Sequence, residues 1–141
     1  MSGDFYEGEW KEGLKHGKGQ MYYYGTDELY DGYFFNGVRE GQGSLKFSFG
    51  DRYEGQWKSD KKEGLGRLYF TSGDEYEGTW VDDRAHGQGS MQYADGDIYE
   101  GMWADGKPNG QGTLKYKNGE IYTGGFRNGE RTGVGKFNYS N

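Results

Sequence analysis

Six tyrosines recur along this chain of 141 residues at an almost fixed interval. Tyr6, Tyr30, Tyr53, Tyr76, Tyr99 and Tyr122 are separated by 24, 23, 23, 23 and 23 residues. Each stands two residues before a glycine, from Gly8 and Gly32 to Gly124, and four before a second ring: Trp10, Phe34, Trp57, Trp80, Trp103 or Phe126. A Gly-x-Gly pair follows eleven and thirteen residues after each tyrosine, from Gly17/Gly19 to Gly133/Gly135, and all six pairs keep phase. A period of this length describes units that cannot bury their apolar faces alone and must stack on their neighbours.

Within a unit the period is two. Tyr99-Glu100-Gly101-Met102-Trp103 alternates one class of side chain with a polar class, and Gly112-Thr113-Leu114-Lys115-Tyr116 does so again. That alternation is the mark of a strand. A polar turn such as Asp105-Gly106-Lys107-Pro108-Asn109 separates the halves, and a second turn such as Ser72-Gly73-Asp74 or Asp95-Gly96-Asp97 separates the units. No segment carries a capped stripe of helical period. The expected fold is all-β: an elongated, twisted, single-layer antiparallel β-meander of six repeat hairpins, one array over residues 1–141 with units starting at 6, 30, 53, 76, 99 and 122.

Only 19 residues are Leu, Ile, Val or Phe, below the roughly 20% at which chains tend to stay unfolded. The core must therefore come from aromatic residues, which make up 18% of the chain, and from 29 glycines that leave slots beside them. Columns of Tyr, Trp/Phe, Met/Leu and Tyr/Phe are expected to stack from unit to unit.

The pattern resembles the MORN repeat (membrane occupation and recognition nexus), approximately Tyr-x-Gly-x-Trp-x-x-Gly-x-x-x-Gly-x-Gly-x-x-x-Tyr, in six units from Tyr6 to Tyr139. Departures are Phe34 and Phe126 in place of Trp, Asp60 and Asp83 in place of the turn glycine, and Gly125 in an outward slot. The resemblance implies an elongated, twisted sheet with an aromatic-lined groove. It also implies a non-catalytic scaffold of cytoskeletal, ciliary, cell-division or membrane-junction settings, hence a cytoplasmic, cytoskeleton- or cilium-associated protein.

The residues themselves point away from chemistry. Without cysteine there is no thiolate nucleophile and no Cys-based zinc site. The Gly-x-Gly pairs lack the strand-before, helix-after context of a phosphate loop. His16 and His86 share a turn position and are expected to lie three hairpins apart, whereas a catalytic or metal histidine needs partners at fixed geometry, so both are expected to be solvated turn residues. Asp95-Gly96-Asp97, Asp82-Asp83 and Asp74-Glu75 lack the spacing of a calcium loop and suit turns. No catalytic, cofactor or metal residue is expected, and no enzyme activity. A net charge of −6 disfavours nucleic acid.

Binding is the remaining role. Trp10, Tyr30, Phe34, Tyr53, Trp57, Tyr76, Trp80, Tyr99, Trp103, Tyr122 and Phe126 are expected to line a groove that takes a helix or an extended peptide, unless each hairpin's own packing closes it. Lys15, Arg39, Lys61, Lys62, Arg84, Lys107 and Arg131 are expected to form a basic edge, opposite in sign to an outward acidic line of Glu7, Asp31, Glu54, Glu77 and Glu100. That edge either orients a protein partner, touches anionic lipid such as phosphoinositide, or serves as solvated surface. An array of this kind could also regulate an enzyme on another chain. Unpaired terminal strands predict a homodimer or end-to-end self-association.

Overall fold

The period-two segments form twelve strands in a computed structural model that describes residues 3–139. They are β1 (Phe5–Lys11), β2 (Leu14–Tyr23), β3 (Glu28–Phe35), β4 (Val38–Lys46), β5 (Arg52–Lys58), β6 (Lys61–Tyr69), β7 (Glu75–Val81), β8 (Arg84–Gln92), β9 (Ile98–Ala104), β10 (Lys107–Lys115), β11 (Ile121–Arg127) and β12 (Glu130–Asn138). Their order in space is their order in sequence, so one open antiparallel sheet contains all of them. β1 and β12 each pair on one side only among the described residues. Among those residues no helix is long and apolar enough to cross a membrane.

The turn inside each unit is shorter than the sequence suggests. Asp105 and Gly106 alone connect β9 to β10, and Lys107 already belongs to the strand. Both turn residues are left-handed, at φ 50° and 83°, and the other five units repeat this, including Ser59-Asp60 at 49° and 70° and Asp82-Asp83 at 49° and 68°. Such two-residue turns match the right-handed twist of the flanking strands. This places Pro108 inside β10, where a proline is tolerated because its position lies at the edge of a register irregularity between Pro108 and Gly112.

The two glycines of each Gly-x-Gly pair serve different ends, seen in unit four. Gly87 sits at φ 90°, within a bulge between the pairs Gly78↔Gly89 and Trp80↔Ala85. Gly89 is extended, and any Cβ there would collide with the ring of Tyr76. The first needs backbone freedom and the second needs empty space. Across the strands Gly78 and Gly89 face each other, and the tyrosine ring lies over that bare backbone.

The core is a single file of rings on one face of the sheet. Tyr30, Phe34, Tyr53, Trp57, Tyr76, Trp80, Tyr99, Trp103, Tyr122 and Phe126 are buried together with Met21, Leu45 and Ala85.

Candidate functional site

Each leading tyrosine bridges its own strand. The hydroxyls of Tyr6, Tyr30, Tyr53, Tyr76, Tyr99 and Tyr122 donate to the backbone carbonyl three residues on, at 2.6 to 3.1 Å. Burial pushes the phenols of Tyr30, Tyr53 and Tyr76 far above their ordinary value, and raises that of Tyr99 to about 12. In units two to six the Trp or Phe then inserts between two tyrosines, its own and that of the unit before. Trp57 meets Tyr53 at 5.2 Å and Tyr30 at 5.5 Å; Trp80 meets Tyr76 at 5.1 Å and Tyr53 at 5.3 Å. All are edge-to-face, and the series runs unbroken from Trp10 to Phe126. Pairs of this kind contribute about 0.5–1.5 kcal/mol each beyond area burial. The indole N–H groups of Trp57 and Trp80 donate to Gly43 and Gly66 carbonyls at 3.1 Å, whereas that of Trp103 is buried without a partner among the described residues.

This packing closes the groove expected from the sequence. Of the eleven rings assigned to it, ten are at most 4% exposed. Trp10 stays 59% exposed because no preceding tyrosine stacks on it among the described residues. What faces solvent above the core is a further row: Tyr23, Phe47, Phe70, Tyr93 and Tyr116 are half-buried and packed against the core, and Tyr139 is exposed. Each stands 17 residues after a leading tyrosine, a signal present in the sequence but not assigned to the site. In units two to five the ring sits at the base of the inter-unit turn, where Phe70 N–H donates to Asp74 and Phe70 carbonyl accepts from Gly73. Asp51, Asp74 and Asp97 tie successive turns by accepting from Thr71, Ala94 and Lys117 backbone N–H at 2.7 to 2.9 Å.

The seven cations expected along one edge divide between the two faces. Lys15, Arg39, Lys62 and Arg131 pair across the hairpin with Trp10, Phe34, Trp57 and Phe126 and therefore point to the aromatic face. Lys61, Arg84 and Lys107 come one residue earlier and point away; Lys61 and Arg84 pair with Asp82 and Asp105 at 3.8 and 3.6 Å. The inward four lie over rings. Arg39 Cζ is 4.5 Å from the Trp57 centroid and 5.6 Å from that of Tyr23; Lys62 Nζ is 5.5 Å from those of Phe47 and Trp80. Arg131 covers Tyr116 and Tyr122 at 5.9 and 5.4 Å, and Lys15 covers Tyr6 and Phe34 at 5.9 Å. Arg39 and Lys62 also pair with Asp60 and Asp83, at 3.2 and 3.6 Å, and burial lowers the Lys62 pKa against the pull of Asp83. No carboxylate pairs with Lys15 or Arg131 among the described residues. Ala85 and Pro108 hold the equivalent positions in units four and five.

On the opposite face four of the five acids of the outward line have polar partners within that face. Asp31 accepts from Gln20 at 3.1 Å, Glu54 pairs with Arg52 at 2.9 Å, Glu77 with Arg67, and Glu100 with Lys115 at 3.0 Å. His16 lies 5.1 Å from Phe35 and His86 accepts from Thr79 through its carbonyl, so neither meets the other.

A sequence model of the MORN repeat matches residues 6–26, 30–52, 53–75, 76–98, 99–121 and 122–141. No curated protein sequence matches the chain. Among solved structures, the fold is similar to the TCP domain of SAS-4 (dCPAP) from Drosophila melanogaster, solved in complex with a proline-rich motif of Ana2 (dSTIL). The TM-score is 0.51 at 18% identity, over 79% of this chain and 61% of that one. At that identity the likeness speaks for the fold alone.

Proposed function

The chain belongs to the MORN-repeat family, and from that premise we propose that it is a non-enzymatic scaffold that holds an extended segment of a partner protein along the aromatic face of its sheet, in a cytoskeletal or ciliary assembly. One observation carries the reading: a continuous row of half-buried rings, with cations on the same side, runs above a sealed core. Such a row offers flat, rigid contact area without disturbing the fold, and aromatic side chains concentrate binding energy. The peptide bound to the related SAS-4 fold supports a linear segment as the form of the partner. A membrane-docking role gains less support, because the cations split between faces and two of the outward three are ion-paired.

The test compares three baits in affinity capture: wild type, Lys15→Glu with Arg131→Glu on the aromatic face, and Arg84→Glu with Lys107→Glu on the turn edge. A discrete protein retained by wild type and the turn-edge variant, but lost from the face variant, is the expected result. Retention by all three baits would sink the reading. Salt-sensitive flotation with phosphoinositide vesicles that only the turn-edge variant loses would replace it with the lipid role.

A further inference from the structure

The half-buried ring row repeats once per two strands, which at about 4.8 Å per strand is about 9.6 Å. A polyproline II helix has three residues per turn and rises about 3.1 Å per residue, so its own period is about 9.3 Å. Laid along the array, across the strands, such a segment offers every third residue to successive rings and drifts by only about 0.3 Å per unit. A β-strand, whose side chains return to one face every ~6.6 Å, has no comparable match.

The cations decide where those residues can lie. Arg39 covers Tyr23, Lys62 covers Phe47 and Arg131 covers Tyr116. In units four and five Ala85 and Pro108 take the cation's place, and among the described residues no cation lies over Phe70 or Tyr93. Two consecutive rings are thus uncovered, and next along the row stands Arg131, a cation with no carboxylate of its own among the described residues.

Resting on the peptide-scaffold reading, we infer that the aromatic face takes a polyproline II segment of a partner protein, with prolines three residues apart on Phe70 and Tyr93 and an acidic residue three further along at Arg131. The flat pyrrolidine ring suits an aromatic face with no cation over it, the acid pairs with Arg131, which has no carboxylate among the described residues, and a preformed helix loses little freedom on binding.

The test uses the full chain and labelled synthetic peptides, read by fluorescence anisotropy. One pair carries Pro-x-x-Pro-x-x-Asp and its reversed order; a control of the same composition has its prolines two residues apart. One of the three-spaced peptides is expected to bind at least tenfold more tightly than the control. Ala85→Arg with Pro108→Arg, which installs the cation that other units already carry there, is expected to abolish that preference while thermal melting shows an intact fold. Arg131→Glu is expected to weaken the Asp peptide and to strengthen one with Lys in its place. Equal binding of both spacings, or a preference unchanged in the double variant, overturns the inference. If none of these peptides binds while a captured partner still needs the aromatic face, the register fails and the scaffold reading stands. If no partner needs the face, both fail.

Discussion

For the single residue, the decisive object is the tyrosine over a bare glycine pair. Tyr76 fills the space beside Gly89 and donates to the Thr79 carbonyl at 2.9 Å. Tyr76→Phe keeps the ring and strands that carbonyl, so it is expected to lower unfolding free energy by about 1–2 kcal/mol in urea titration. Gly89→Ala drives a methyl group into the ring and should lose about 1–3 kcal/mol. Gly25→Ala, where nothing lies within 4 Å, should stay within about 0.5 kcal/mol of wild type. The buried phenols also fix an alkaline limit. Their pKa values are raised in the fold, so folding favours the protonated form; the stability this brings is whole below the unfolded value of about 10 and is lost as pH rises through the folded one. For Tyr99 the window runs from about 10 to about 12. Phenolate absorbance in that window is therefore expected to rise together with loss of sheet circular dichroism; titration of all the tyrosines with the sheet intact would contradict it. The Tyr and Trp columns and their glycine slots were legible because they recur every 23 residues. The sealing of the rings was not, since it depends on Trp57 reaching Tyr30 in the preceding unit, and no spacing within a unit records that contact.

In the hairpin as an element, the two-residue turn governs what the next strand presents. Reading Asp105 to Asn109 as one turn leaves the parity of the following residues undefined; once the strand starts at Lys107, alternation sends Lys61, Arg84 and Lys107 to one face and Lys15, Arg39, Lys62 and Arg131 to the other. The basic residues could be read from the sequence, their division could not. The same turn explains why Asp60 and Asp83 stand where other units have glycine. Asp83 Oδ1 accepts from the Lys62 backbone N–H at 2.8 Å, and Asp60 Oδ1 does the same for Arg39. A left-handed aspartate thus ties its turn to the hairpin before it, offsetting the strain at φ 68°. Pro108, which has no N–H to give, is followed by a turn ending in Gly129, which has no side chain to receive one. Asp83→Gly removes bond and strain together and should change stability by less than about 1 kcal/mol, whereas Asp83→Ala keeps the strain and loses the bond, costing about 2 kcal/mol. Thermal melting that ranks Ala at or above Gly would refute this account of the turn.

As a whole molecule, the sheet is a one-dimensional array whose strands pair only with their sequence neighbours. Among the described residues each strand is hydrogen-bonded only to its neighbours in sequence, so cooperativity travels through the ring file and the ladders between adjacent hairpins. Trp57 is a link in that file, touching Tyr30 in one unit and Tyr53 in its own. Trp57→Ala should therefore cost about 3–5 kcal/mol at one joint. Hydrogen exchange is expected to quicken through β1–β4 and in β5–β6 while β9–β12 keep their protection, because the rings from Tyr76 to Phe126 still lock on one another. Trp10, exposed and stacked on Tyr6 alone among the tyrosines, provides the contrast: Trp10→Ala should cost less than about 1.5 kcal/mol and leave exchange beyond β4 unchanged. Equal loss of protection along the whole sheet in the Trp57 variant would mean that the array folds as one global unit, and the nearest-neighbour account would have to be abandoned.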